Sequence, residues 1–129
     1  MRISGSLREE ILVWVRSAVP EEACGMIGGI ENEARLVIGV ENELHSPVRY
    51  RMRPEDQLRG FMLFEASELD LLAIFHSHPS SPAYPSPTDV AEFYYPGVLT
   101  LICSPVPDGW HIRAFQIQDD AIREIELDT

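Results

Sequence analysis

Residues 71–89 read LLAIFHSHPSSPAYPSPTD. Leu71 to Phe75 is a continuous apolar run of the length of a buried strand, and it delivers the chain directly into His76 and His78. In extended backbone successive side chains alternate faces, so the two imidazoles point the same way and Ser77 points the opposite way. At the far end, Ser86, Pro87, Thr88 and Asp89 have the chemistry of a helix start: serine as cap, proline in the first turn, an acid at the third position. Between the two, Pro79, Pro82, Pro85 and Pro87 restrict the loop, which lowers the entropy cost of a preformed site.

Working outward, Ser6 followed by Glu9 has the form of a capping box, and Leu7, Ile11, Trp14, Val15 and Ala18 recur at helical spacing until Pro20 stops the run. Apolar runs at Ala23 to Ile30 and Leu36 to Val40, separated by a polar turn that includes Glu31, Asn32 and Glu33, predict a hairpin. A third strand is expected at Val48 to Met52. Pro54 opens a second helix reaching about Leu69, with Leu58, Phe61, Met62 and Leu69 on its buried side. After the histidine loop and its short helix come a strand from Val98 to Ser104, a turn at Pro105 to Gly109, and a hairpin of Trp110 to Gln118 with Ala121 to Leu127. This order describes an α/β chain, a mixed sheet flanked by helices. Trp14, Phe75 and Trp110 are expected in its core.

At 129 residues the chain has enough length for one core and too little to divide, so residues 1–129 are read as a single domain. Twenty-one acidic against ten basic residues give a formal net charge of −11, which repels a phosphate backbone and an anionic membrane surface. Neither a nucleic acid nor a membrane is expected as partner. No apolar run approaches the ~20 residues of a membrane span and the first ten residues lack the apolar core of a signal peptide, so a cytoplasmic protein is expected. Cys24 and Cys103 lie far apart in apolar surroundings, which predicts buried thiols rather than a disulfide.

Two imidazoles on one side of a strand can share a metal. A catalytic zinc site takes three nitrogen or oxygen ligands and keeps its fourth position open for water, and Asp89 can supply the third ligand if the loop folds back over the strand end. Hydrolysis also requires a group that takes the water's proton and passes it to the leaving amine, commonly a glutamate that is not a ligand. In PEEACGMIGG, residues 20–29, Glu21 and Glu22 are the candidates; strand alternation puts them on opposite faces, so only one can face the site. His45 and His111 have no ligand partners at suitable spacing and are read as surface or packing residues.

Glu22 in its Glu-x-Cys-Gly context, followed by His76, His78, Ser86 and Asp89 at the spacing His-x-His, seven residues, Ser, two residues, Asp, resembles the JAMM (JAB1/MPN/Mov34) metalloprotease family, small prokaryotic type. The likeness extends over essentially the whole chain, including Asn42 and the Tyr50 to Pro54 segment. It implies an α/β JAB1/MPN (cytidine-deaminase-like) fold with a curved mixed sheet between helices. It further implies one catalytic Zn2+ on His76, His78 and Asp89, with Glu22 as general base and acid and Ser86 as a donor to the oxyanion. A capping pair at Ser86 and Asp89 is compatible with those roles, because a cap fixes where both side chains point.

A zinc nucleobase deaminase needs His-x-Glu followed by Pro-Cys-x-x-Cys, and the chain has neither. A structural zinc module would close the fourth position with another cysteine or histidine, and none lies near the motif. A noncatalytic MPN-type interaction scaffold normally shows a broken metal motif, whereas this one is intact. The resemblance therefore implies an (iso)peptidase that cuts after the Gly-Gly tail of a ubiquitin-like or sulfur-carrier β-grasp protein. An extended glycine tail suits a sheet edge and a narrow channel beside a metal.

Overall fold

A computed structural model describes residues 1–129. The elements follow in the order α1 (Gly5–Ala18), β1 (Cys24–Ile30), β2 (Glu33–Val40), α2 (Pro54–Ala66), β3 (Asp70–Ser77), α3 (Pro87–Ala91), β4 (Leu99–Val106), β5 (Gly109–Gln118) and β6 (Ala121–Ile125). The six strands form one sheet in the order β2-β1-β3-β4-β5-β6. Only β3 and β4 pair in parallel; the other neighbours are antiparallel. The sheet is mixed and flanked by helices, as the sequence predicts. A parallel pair needs a crossover, and here the proline loop and α3 supply it, so the C-terminal end of β3 is where the chain must leave the sheet.

Alternation divides the core between the two faces of the sheet. Ile11 and Val15 of α1 pack with Ile27, Ala73, Phe75, Leu101 and Cys103, all fully buried. Phe64 of α2 packs with Cys24, Met26 and Ile74 on the opposite face. Full burial of a side chain such as Ile11 contributes ~1.5–3 kcal/mol. The result is a rigid bed under the strand that carries the histidines.

Several local expectations need correction. Ser4, not Ser6, caps α1, its side chain accepting from the Leu7 N–H at 3.2 Å. Glu33 belongs to β2 rather than to the turn, Pro105 continues β4, β6 stops at Ile125 and α2 stops at Ala66. Residues 48–52 form no strand; Met52 makes a single bridge to Asn42. Phe61 and Leu69 pack partly buried against the Phe64 cluster, as expected, but the buried residues of α2 are Gly60 and Phe64, while Leu58 and Met62 are 61% and 62% exposed. The reason is steric: a Cβ at Gly60 would lie 2.2 Å from Met26 Cε, so the helix approaches the sheet along its glycine rather than along its aliphatic stripe. Phe75 is fully buried and Trp110 partly so, but Trp14 is 38% exposed, lying over Gly39 with its Nε1 donating to the Cys24 carbonyl at 2.9 Å.

Cys24 and Cys103 are buried free thiols, as expected. No helix is long and apolar enough to cross a membrane. All ten basic side chains are arginines, and seven of them (Arg16, Arg35, Arg49, Arg51, Arg53, Arg59 and Arg113) pair with carboxylates near the surface. Such pairs contribute ~0–1 kcal/mol each.

Candidate active site

His76 lies in the central strand β3, paired to Cys24 on one side and Ile102 on the other, and His78 follows just past the strand end. The backbone between them is held on both sides. Ser77 N–H donates to the Ala23 carbonyl at 3.0 Å, and His78 N–H donates to the Cys103 carbonyl at 2.8 Å. Ser77 points away from the imidazoles, its Oγ accepting from the Ala23 N–H at 2.8 Å. The alternation expected from the sequence is therefore present.

Asp89 arrives through local chemistry. Ser86 caps α3 with its Oγ accepting from Asp89 N–H at 3.0 Å, while Asp89 Oδ2 accepts from Ser86 N–H at 2.9 Å. This reciprocal capping box fixes the Asp89 rotamer. The same Oδ2 lies 3.2 Å from His76 Nε2 and 3.0 Å from His78 Nε2, and the two Nε2 atoms are 3.2 Å apart.

Three ligand-type atoms thus converge in a triangle. Tetrahedral bonds of ~2.0–2.1 Å require ligand atoms about 3.3 Å apart, so the donor set fits a small divalent cation. The tautomer agrees. Pro82 O can only accept, so His78 Nδ1, 2.9 Å away, donates to it, and Nε2 is the ring nitrogen turned to the triangle, a donor to Asp89 Oδ2 without a metal and a ligand once that proton is displaced. His76 Nδ1 is buried without a partner, and its ring stacks on Tyr50 with centroids 4.6 Å apart.

Burial and neighbours shift the titrations in different directions. Burial pushes the His76 imidazole down, outweighing the Asp89 carboxylate. Burial also acts against charge on His78, but hydrogen bonds to Asp89 and Pro82 prevail and raise it. Asp89 likewise is desolvated, yet the hydrogen bonds from the two histidines hold its carboxyl far below the usual range. Glu22, 4% exposed, sits just before β1 with its N–H donating to Ser46 O at 2.8 Å. Burial pushes its carboxyl up to about 8, a trend that the nearby His78 opposes and Asp89 reinforces. Its Oε1 is buried with no partner.

The structure brings Glu22 into the electrostatic neighbourhood of His78 and Asp89, along with Ser86 at the cap. Glu21 instead faces outward, 3.0 Å from the exposed His45, which also lies 3.5 Å from Glu41. His111 is exposed. Asn42 and Tyr50, which the sequence places only within the general resemblance, pack directly around the site. No spacing rule marks them, because their role depends on contacts between segments distant in the chain.

A family model described as prokaryotic homologs of the JAB domain matches residues 4–118. A desampylase of Haloferax volcanii is 32% identical over 135 residues, spanning 98% of this chain and 94% of the relative. A CysO-cysteine peptidase of Mycobacterium bovis is 31% identical over 125 residues, spanning 95% and 86%. The solution structure of a Desulfitobacterium hafniense protein has a TM-score of 0.90 at 31% identity, covering 98% of this chain and 90% of that one. With a model that matches most of its length and relatives with peptidase and desampylase names that it covers almost entirely, the chain belongs to the prokaryotic JAB-domain family.

Proposed function

We propose that residues 1–129 act as one zinc-dependent (iso)peptidase domain that hydrolyses the bond after the C-terminal Gly-Gly tail of a ubiquitin-like or sulfur-carrier β-grasp protein. The observation that carries this reading is the convergence of His76, His78 and Asp89 ligand atoms within 3.2 Å, in the neighbourhood of a buried glutamate with an unpartnered oxygen. Zinc held there supplies polarisation of the scissile carbonyl and acidification of a water. Glu22 takes the water's proton and returns it to the leaving nitrogen; a carboxyl raised toward neutrality by burial is matched to both transfers. Ser86 Oγ accepts from Asp89 N–H, which leaves its own proton free to donate to the oxygen on which charge develops.

The relatives support the substrate class from two sides. A desampylase and a CysO-cysteine peptidase differ in what leaves, a protein or a small adduct, while both names imply a modifier or carrier. Two free buried cysteines support a reducing, cytoplasmic setting. The test is to incubate the protein with a β-grasp protein ending Gly-Gly and extended by one residue, with and without chelator, and to weigh the products. Loss of mass equal to the extension, blocked by chelator and restored by zinc, is expected. Cleavage that ignores the chelator refutes the metal, and an intact carrier refutes the substrate.

A further inference from the structure

The two histidines are oriented by different means. A metal-binding imidazole ordinarily donates its second ring nitrogen to an oxygen, which fixes both tautomer and ring rotation. His78 does so through Pro82 O, whereas His76 Nδ1 has no partner although the residue is completely buried. One face of the His76 ring is covered by the Tyr50 ring, 4.6 Å away between centroids and inclined by 26°. Stacking of this kind opposes rotation of the imidazole out of the ligand triangle.

Tyr50 itself belongs to no helix or strand, so something must hold it. Asn42, 6% exposed, does this with every hydrogen-bonding position its amide has. Its Oδ1 accepts from Leu44 N–H and Arg51 N–H at 3.1 Å each. Its Nδ2 donates to Arg49 O at 3.1 Å and to Glu22 O at 3.0 Å. Three of these bonds brace the segment that contains Tyr50, two of them at its immediate neighbours; the fourth grips the backbone of the buried glutamate. The Arg49 side chain also pairs with Glu92, the C-cap of the helix that carries Asp89. One side-chain amide therefore ties together the support of His76 and the backbone of Glu22.

We infer that Asn42 and Tyr50 are positioning residues: Tyr50 holds His76 in its metal-binding rotation by ring stacking, and Asn42 fastens the Tyr50 segment to Glu22 so that ligand and base keep one relative placement. This rests on the reading of His76 as a metal ligand. It predicts that the ring of Tyr50 matters and its hydroxyl does not.

The experiment measures zinc affinity by chelator competition and the visible spectrum of the Co2+-loaded protein, for wild type, Tyr50→Phe, Tyr50→Leu, Asn42→Asp and the Asn42→Asp/Tyr50→Leu double variant. Tyr50→Leu should weaken zinc binding about 10–100-fold and alter the Co2+ spectrum, while Tyr50→Phe should stay within about threefold of wild type. Asn42→Asp keeps the two acceptor contacts and loses both donors, so it should weaken zinc and also lower kcat. Its effect on zinc should largely vanish in the Tyr50→Leu background, because both act through the same stack. Wild-type affinity in Tyr50→Leu, equal loss in Tyr50→Phe, or full additivity in the double variant overturns the inference. If Tyr50→Leu fails to fold, wild-type affinity and turnover in Asn42→Asp overturn it just as well. Absence of zinc binding by the wild-type protein refutes the underlying metal-site reading instead.

Discussion

Replacing Glu22 by glutamine converts the burial of one carboxyl into a pH-dependent change in stability. In the metal-free fold the carboxyl is raised from 4.5 to about 8. Above pH 4.5 the unfolded chain releases this proton while the folded protein retains it, until the pH passes about 8. The folded state binds the extra proton, so stability falls as pH rises through that window; the penalty is absent below it and complete above it. At ~1.4 kcal/mol per pH unit the ceiling is about 5 kcal/mol, and partial access of water to the site reduces this to about 2 kcal/mol. Glutamine keeps the shape and does not titrate, so any difference in packing adds a constant offset and the slope isolates the carboxyl. Urea unfolding with chelator present, at about pH 5.5, 7 and 8.5, keeps clear of the sequence pI of ≈ 4.6. Because more than half of that reduced penalty is already present at about pH 5.5, Glu22→Gln should gain ~1 kcal/mol relative to wild type between the lowest and highest of these pH values. A flat difference, or one of opposite slope, refutes the assignment of Glu22 as a desolvated acid.

Asp89→Ala should lower the zinc content of the purified protein, measured by elemental analysis, and lower activity with it; a full complement of zinc removes Asp89 from the ligand set. The variant should still unfold cooperatively, because the main packing clusters are built from apolar residues other than the three ligands. Ser86→Asn preserves a capping oxygen while losing the hydroxyl donor, so kcat should fall ~10²–10³-fold with little change in Tm, and full activity leaves Ser86 only its structural role. In the substrate, replacing the last tail glycine with valine should abolish cleavage seen by mass spectrometry, since the channel is expected to accept a residue without a β-carbon. Equal cleavage of that variant points to a general peptidase.

What was legible in the chain was whatever local chemistry decides. Ser86, Pro87 and Asp89 specify a helix start within four residues, and the structure has that start with the full capping box. His76 and His78 share a face because alternation is a backbone property, and Cys24 and Cys103 are buried because their neighbours are apolar. Legibility failed where a distant partner decides. Leu58 and Met62 extend an apolar stripe, but Gly60 admits Met26 so closely that the helix packs on Gly60 and Phe64 and leaves Leu58 and Met62 exposed. Val48 to Met52 has strand-like composition, yet the Asn42 side chain takes the Arg51 N–H and Arg49 carbonyl that a ladder would use. Ser4 and Ser6 both precede helical spacing, and the cap falls on the earlier one because Gly5 already has helical geometry. At the site, His76, His78, Ser86 and Asp89 were readable by spacing, whereas Glu22 was separated from Glu21 only by the family resemblance. The amide and phenol that surround them were not, since nothing in residues 42 and 50 announces contact with residues 22 and 76.

Isopeptide conjugation of a modifier requires a side-chain amine, and a guanidinium does not serve as that nucleophile at neutral pH. With ten arginines and no lysine, no side chain of this protein can accept that modifier through an isopeptide bond. A deconjugating enzyme of this composition is immune to becoming its own side-chain substrate, and amine-directed crosslinkers or biotin esters will leave its side chains unlabelled while marking lysine-bearing carriers in the same tube.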